Sequence, residues 1–176
     1  MNRIEIHTFK TSFGELILGS YQEKLCLADW KYRKMRSLID NRISTGLQAY
    51  FVEQESDVIK ETKIQLDEYF KCERKEFSIP LLFVGTDFQK NVWNALLNVP
   101  YGETNTYLGL SKLLHNDKAI RAVASANGAN AISIIVPCHR IIGSNGELVG
   151  YAGGLTVKQK LLNLEGYLKK GQQLLF

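Results

Sequence analysis

The sequence predicts an α+β protein of two lobes, a small antiparallel sheet with a covering helix followed by a mainly helical half. Three observations carry this. Short alternating apolar runs occupy the first thirty positions, helical spacing of apolar residues takes over from residue 56, and a connector over residues 77–85 containing Pro80 and Gly85 separates the halves. A chain of 176 residues can bury one generous core or two small ones. The predicted division is therefore a lobe over 1–85, a second domain over 86–170 and a tail over 171–176.

Residues 3–9, 15–20 and 24–30 read as strands, with Leu16/Leu18 and Leu25/Leu27 alternating, and the breaks between them make an antiparallel meander. Residues 31–55 read as loop and short helix. From Ser56, a candidate N-cap, Ile59, Leu66, Tyr69 and Phe70 follow helical spacing up to Cys72. Thr86 and Gln89 have the spacing of a capping box and open a stripe of Phe88, Val92, Ala95, Leu96 and Val99 that Pro100 ends. A second helix begins at Thr106, with Tyr107, Leu110, Leu113 and Leu114 inward. After the turn His115-Asn116-Asp117, with Asp117 placed to cap it, comes a third helix over 118–127, closed by Gly128 as a left-handed residue. These two short helices read as a helix-turn-helix. A last helix, 156–164, turns Val157, Leu161 and Leu164 inward.

Residues 1–85 carry 13 Lys and Arg against 13 Asp and Glu, whereas residues 86–176 carry 9 against 5, so the basic excess lies wholly in the second half. The 3 cysteines, Cys26, Cys72 and Cys138, are too few and too scattered for a disulfide framework, which fits a reducing cytosol. No zinc spacing appears, Cys26, Cys72 and His7 being far apart, and no apolar stretch reaches membrane-span length. The expectation is a cytoplasmic protein without metal or cofactor.

Chemistry concentrates in Pro137-Cys138-His139-Arg140, which interrupts the apolar run Ile134-Ile135-Val136 and Ile141-Ile142. A thiol beside an imidazole at the edge of a core is the arrangement of a nucleophile and its base. Neighbours on an extended strand face opposite ways, so direct contact would need a bend at Pro137, and a bridging water is the easier geometry. On the third helix, Arg121 is one long cation among Ala119, Ala122, Ala124 and Ala126, a surface that another body could approach closely.

Ile120-Arg121-Ala122-Val123, Asn130, Pro137-Cys138-His139-Arg140, Gly150-Tyr151-Ala152-Gly153-Gly154 and Leu164-Glu165-Gly166 occur in order over residues 86–168. In this the chain resembles the 6-O-alkylguanine-DNA alkyltransferases, the methylated-DNA:protein-cysteine methyltransferases. The resemblance implies a ribonuclease-H-like first lobe and a winged-helix-like second domain. It implies direct repair of double-stranded DNA, with an alkyl group moving irreversibly from the 6-oxygen of guanine, or the 4-oxygen of thymine, to Cys138. The relay it implies runs from Cys138 through water to His139 and on to Glu165, with Tyr107 assisting the leaving group and Asn130 tying the helix-turn-helix to the reactive segment. Tyr151, Ala152, Gly153, Val136 and Pro137 would form the pocket. Lys118, Ala119, Ala122 and Arg140 would meet DNA at the minor groove, and Arg121 would fill the place of the extruded base.

The resemblance also implies a monomer and leaves cooperative assembly on DNA open. Ala131 stands where many relatives have proline and Ala152 where some have serine. Two other readings remain, a damage-binding protein that does no transfer and a thiol hydrolase using Cys138, His139 and Glu165. The first is opposed by the presence of Cys138, and multiple turnover would mark the second.

Overall fold

The structure is a computed structural model and describes residues 2–167. The tail at 171–176 and the end of the second domain beyond residue 167 lie outside the described residues.

Three strands form the expected meander: β1 (Asn2–Thr11), β2 (Gly14–Tyr21) and β3 (Lys24–Trp30), paired antiparallel with Thr8 opposite Ile17 and Leu18 opposite Ala28. The segment read as loop and short helix is more ordered than that. It holds α1 (Arg36–Leu47) and β4 (Ala49–Glu53), which pairs parallel with β1 and completes the sheet order β3-β2-β1-β4. Both elements are weak in sequence because only Ile39 and Ile43 of α1 are buried, its N-cap Met35 makes no side-chain cap, and no residue of β4 is fully buried. Helix α2 (Asp57–Phe70) starts at Ser56, whose hydroxyl accepts from the Ile59 amide at 3.2 Å, and it lays Ile59, Leu66 and Tyr69 on the core.

In the second half, Thr86 and Gln89 form the capping box of α3 (Asp87–Leu96). Val92, Leu96 and Val99 are buried as expected, but Phe88 faces outward and Trp93 takes the interior place. The Trp93 indole donates to the Ala126 carbonyl at 2.8 Å, which joins α3 to α5 (Ile120–Gly128). Between them, β5 (Asn105–Thr106) leads into α4 (Tyr107–Leu113), capped by Thr106. Leu110 is buried, but Leu113 is exposed, because a helix of two turns has room for only one inward row.

The start and end of α5 also differ from the expectation. Asp117 does not cap it; Asp117–Ala119 form a 3₁₀ turn, so Lys118 and Ala119 precede the helix, and α5 begins without a side-chain cap. Gly128 is the last helical residue, and the exit at Ala129 is right-handed, with the Ala129 amide on the Ser125 and Ala126 carbonyls.

The apolar run around Pro137 is not a strand. Ile134 has φ +71°, Cys138–Arg140 form a 3₁₀ turn, and only β6 (Ile141–Ile142) is extended, parallel to β5. At Gly143-Ser144-Asn145-Gly146 the chain makes a hydrogen-bonded turn, Gly143 N–H to Glu147 O at 2.8 Å, with no strand returning beside β6. Helix α6 (Leu155–Leu164) closes the fold, with Leu161 and Leu162 buried and Val157 and Leu164 partly so.

One hydrophobic cluster runs through both halves, from Leu16, Leu18 and Trp30 of the sheet to Val92, Leu96, Val123 and Leu161 of the helices. Ala28 bonds across the boundary in both directions, its N–H to Ala131 O at 2.9 Å and its carbonyl to the Ser133 N–H at 2.7 Å. Each fully buried large side chain of this cluster contributes about 1.5–3 kcal/mol, so the halves stabilise each other.

Candidate active site

Cys138 opens the 3₁₀ turn and lies at the floor of a cleft of about 760 Å³ between the two halves. Asn130, buried between α5 and the reactive turn, sets its position. The Asn130 side-chain amide donates to Val136 O at 3.0 Å, to Ile132 O at 3.3 Å and to Cys138 Sγ at 3.3 Å, while its oxygen accepts from the Ile132 N–H at 2.9 Å. A residue with two donors and one acceptor site satisfied in this way is fixed in rotamer. Burial pushes the Cys138 thiol above its ordinary value, and the Asn130 hydrogen bond and the Lys158 charge oppose that rise. At rest it is a thiol, so reaction requires a base.

An imidazole and a carboxylate lie behind it. His139 is fully buried, and its Nε2 meets Glu165 Oε1 at 2.7 Å. Burial pushes the imidazole below its ordinary value against the pull of Glu165, which makes it neutral, and the contact to a carboxylate assigns the proton to Nε2. Its Nδ1 is then a buried lone-pair acceptor without a protein partner among the described residues. No hydrogen bond joins His139 to Cys138 directly.

Glu165, the C-cap of α6, is buried as well. Burial alone would raise its carboxyl, but the hydrogen bond from His139 and the pair from Arg140 outweigh that and hold it well below the usual carboxylate range. Arg140 corrects an expectation. It is not on a DNA-facing surface: it is buried, binds both oxygens of Glu165 at 2.9 and 3.0 Å, and donates to Val99 O at 2.7 Å. The 3₁₀ turn is the reason, because it carries residue 140 back into the core behind His139.

Tyr107, Tyr151, Ala152 and Gly153 line the cleft with Cys138 and Asn130. Val136 and Pro137, expected there, are buried beneath it and do not line it. The Tyr107 hydroxyl donates to Val149 O at 2.9 Å; burial, then the nearby Cys138, raises its pKa above the ordinary value, so it is a neutral donor. The Tyr151 hydroxyl accepts from the Trp30 indole at 3.2 Å. Gly153 is required for this approach, since a Cβ there would lie 2.8 Å from the Trp30 ring.

Several residues of this region escaped the sequence reading. Trp30, Phe13 and Tyr32 of the first lobe line the cleft. Lys158 is fully buried, and its ammonium donates to the carbonyls of Ile141, Val149 and Gly150 at 2.6, 3.1 and 3.1 Å, which fixes the cleft wall. Burial lowers its pKa to about 8, opposed by Cys138. A signal for it existed: Lys158, Leu161, Leu162 and Glu165 follow i, i+3, i+4, i+7 spacing, so the buried face of α6 ran through two charged residues.

On α5, Val123 and Ala126 point inward, while Arg121 and Ala122 are exposed. Lys118 is exposed just ahead of the helix, and Ala119 is half-buried against the core. Arg121 has no ion pair among the described residues.

Residues 87–167 match the family model of the 6-O-methylguanine DNA methyltransferase DNA-binding domain, and residues 4–83 match that of its ribonuclease-like domain. A methylated-DNA–protein-cysteine methyltransferase of Methanosarcina acetivorans is 44% identical over 158 residues, covering 90% of this chain and 96% of the relative. This chain belongs to the methylated-DNA–protein-cysteine methyltransferase family. The constitutive Bacillus subtilis methyltransferase of the same name is 40% identical over 90% of this chain and 93% of its own length. Among solved structures, the Mycobacterium tuberculosis O6-methylguanine methyltransferase superimposes with a TM-score of 0.77 at 36% identity, over 94% of this chain and 93% of that one. The methyltransferase fold, a sheet lobe followed by a helical half, is therefore the one described above. Within it Cys138 and His139 lie on the 3₁₀ turn and Glu165 at the end of α6.

Proposed function

We propose that this chain repairs alkylated DNA by moving the alkyl group from the 6-oxygen of guanine to its own Cys138. The carrying observation is the buried thiol at the cleft floor, the one cysteine among the described residues that line it, with the His139–Glu165 pair behind it. The Cys138 proton passes through a bridging water to Nδ1 of His139, and the imidazolium is held by Glu165. Sγ attacks the alkyl carbon, the carbon–oxygen bond breaks, and the electron pair stays on the guanine. Tyr107 turns its hydroxyl from Val149 to the departing base and donates the hydrogen bond that stabilises the guanine anion, which then takes its proton from solvent. The product thioether has no hydrolytic exit and no reductive one, so each molecule acts once.

A base within a duplex is out of reach, and the protein works on an extruded one. α5 enters the minor groove with Ala122 against it and Lys118 near the phosphates, and Arg121 occupies the vacated stack. The roles follow the boundary near residue 85: the second domain holds the reacting groups, and the first lobe closes the cleft. The protein acts as a monomer on methyl or other alkyl groups of guanine.

The test is mass spectrometry of the Cys138 peptide after incubation with duplex DNA containing 6-O-methylguanine. The expected result is a gain of one methyl group in the wild type, none in Cys138→Ser, and at most one transfer per molecule. An unmodified wild-type peptide, or multiple turnover, overturns the reading.

A further inference from the structure

Tyr69 belongs to α2 of the first lobe, far in sequence from the reactive turn, and is fully buried. Its hydroxyl donates to Glu165 Oε1 at 2.7 Å. The same oxygen accepts from His139 Nε2 at 2.7 Å and from an Arg140 terminal nitrogen at 3.0 Å, while Oε2 takes Arg140 Nε at 2.9 Å and the Gly102 N–H at 3.3 Å. A carboxylate offers about four lone-pair sites, so five donors saturate it.

Packing alone does not account for this contact. The Tyr69 ring is already held by Phe70, Phe77 and Tyr101, with centroids 5.5, 5.6 and 6.1 Å away. The phenol directs its single donor at the oxygen that faces His139.

We propose that Tyr69 is a positioning residue of the transfer relay, its hydroxyl fixing Glu165 Oε1 against His139 and limiting how strongly that carboxylate draws a proton onto the imidazole. The proposal rests on the reading of Cys138 as the alkyl acceptor. A donor on Oε1 withdraws charge from the His139 contact. Without it, Oε1 would favour the imidazolium more strongly, and His139 would remain protonated, and unable to serve as base, up to a higher pH. The other groups around the pair are Arg140 on Glu165, Lys158 of α6, whose charge disfavours imidazolium, the Tyr151 ring 6.4 Å from that of His139, and Tyr101, whose hydroxyl donates to Leu164 O at 3.4 Å. Of these only Arg140 also bonds Oε1, at 3.0 Å, beside the Tyr69 hydroxyl and not in its place. The first lobe thus supplies a group to the reaction as well as a wall to the cleft.

The experiment compares full-length wild type with Tyr69→Phe, which removes one oxygen and keeps the ring. Two quantities are read: the His139 titration by nuclear magnetic resonance, and the rate of alkyl transfer from duplex DNA against pH. In the variant the His139 titration and the acid limb of the rate profile move together to higher pH, by about half to one unit, the size expected for one hydrogen bond. The alkaline plateau stays within about twofold, since the base is neutral there in both proteins. A His139 titration unmoved in Tyr69→Phe overturns the assignment. Because that titration needs no alkyl transfer, it separates failure of the Tyr69 role from failure of the alkyltransferase reading. Should Tyr69→Phe not fold, site-specific fluorination of Tyr69, which makes its hydroxyl the stronger donor, moves the His139 titration to lower pH; an unmoved titration again overturns the role.

Discussion

Glu165 shows how burial and charge are balanced at a single residue. Its role was legible through the resemblance and its burial only in the spacing it shares with Lys158, Leu161 and Leu162; as an isolated residue before Gly166 it reads as a surface carboxylate at a helix end. What hid its true position was local reading, because its donors come from α2, the turn after α3 and the 3₁₀ turn. Asn130 is similar in part: Ile132 is two residues away, but Val136 O and Cys138 Sγ become its neighbours only after the chain turns back through Ile134, at φ +71°. The Glu165 carboxyl lies below its ordinary 4.5 in the folded protein. A depressed folded pKa means that its stabilising contribution is complete above about pH 4.5 and is lost as pH falls toward the folded value. Glu165→Gln should therefore lower stability at pH 7 by about 3–5 kcal/mol, the cost of leaving Arg140 without its buried partner. The same variant should lose less further stability than wild type on acidification below pH 4.5. Urea unfolding at a series of pH values checks both, and parallel pH curves for the two proteins would contradict the linkage.

Elements differ in how plainly the sequence marks them. Ser56, Thr86 and Thr106 cap α2, α3 and α4 where their side chains predict, because a cap is a contact over three residues. α1 and β4 carry no such local mark, and it is the pairing of β4 with β1, more than forty residues earlier, that makes them regular. α5 was legible in its small-residue face and misread at both ends, where the 3₁₀ turn and a right-handed exit replace the expected caps. Its exposed face bears on function. Arg121 stands clear of any ion pair among the described residues, on a helix whose inward side is already filled by Val123 and Ala126. Removing it should leave folding nearly unchanged and act on extrusion, which costs a few kcal/mol. Arg121→Ala is expected to slow transfer from duplex DNA at least about tenfold, while attack on free alkylated guanine base stays within about twofold. Equal losses on both substrates would remove the wedge role from α5.

At the scale of the whole molecule, a boundary near residue 85 was readable from Pro80, Gly85 and the change of period, but the single core was not. Contacts that cross the boundary leave no periodic trace in sequence, since their partners are a hundred residues apart. Trp30 bonds Tyr151, Arg33 donates to Asn130 O at 3.0 Å and also to the Gly128 carbonyl, and Arg42 donates to Ala129 O at 2.8 Å. The hydrophobic cluster continues through the same interface. Loss of either half would expose apolar surface and leave buried polar groups unpaired, so neither should unfold alone. The chain has 2 tryptophans, Trp30 in the first half and Trp93 in the second. Trp30→Phe leaves a fluorescence probe only in the helical half, and Trp93→Phe leaves one only in the sheet lobe. In each variant the urea midpoint followed by fluorescence should coincide with that followed by far-ultraviolet circular dichroism, whatever stability the substitution itself costs. A Trp30 signal lost at lower urea than the dichroism in Trp93→Phe would mean that the sheet lobe opens separately, and that the shared core contributes less than its burial implies.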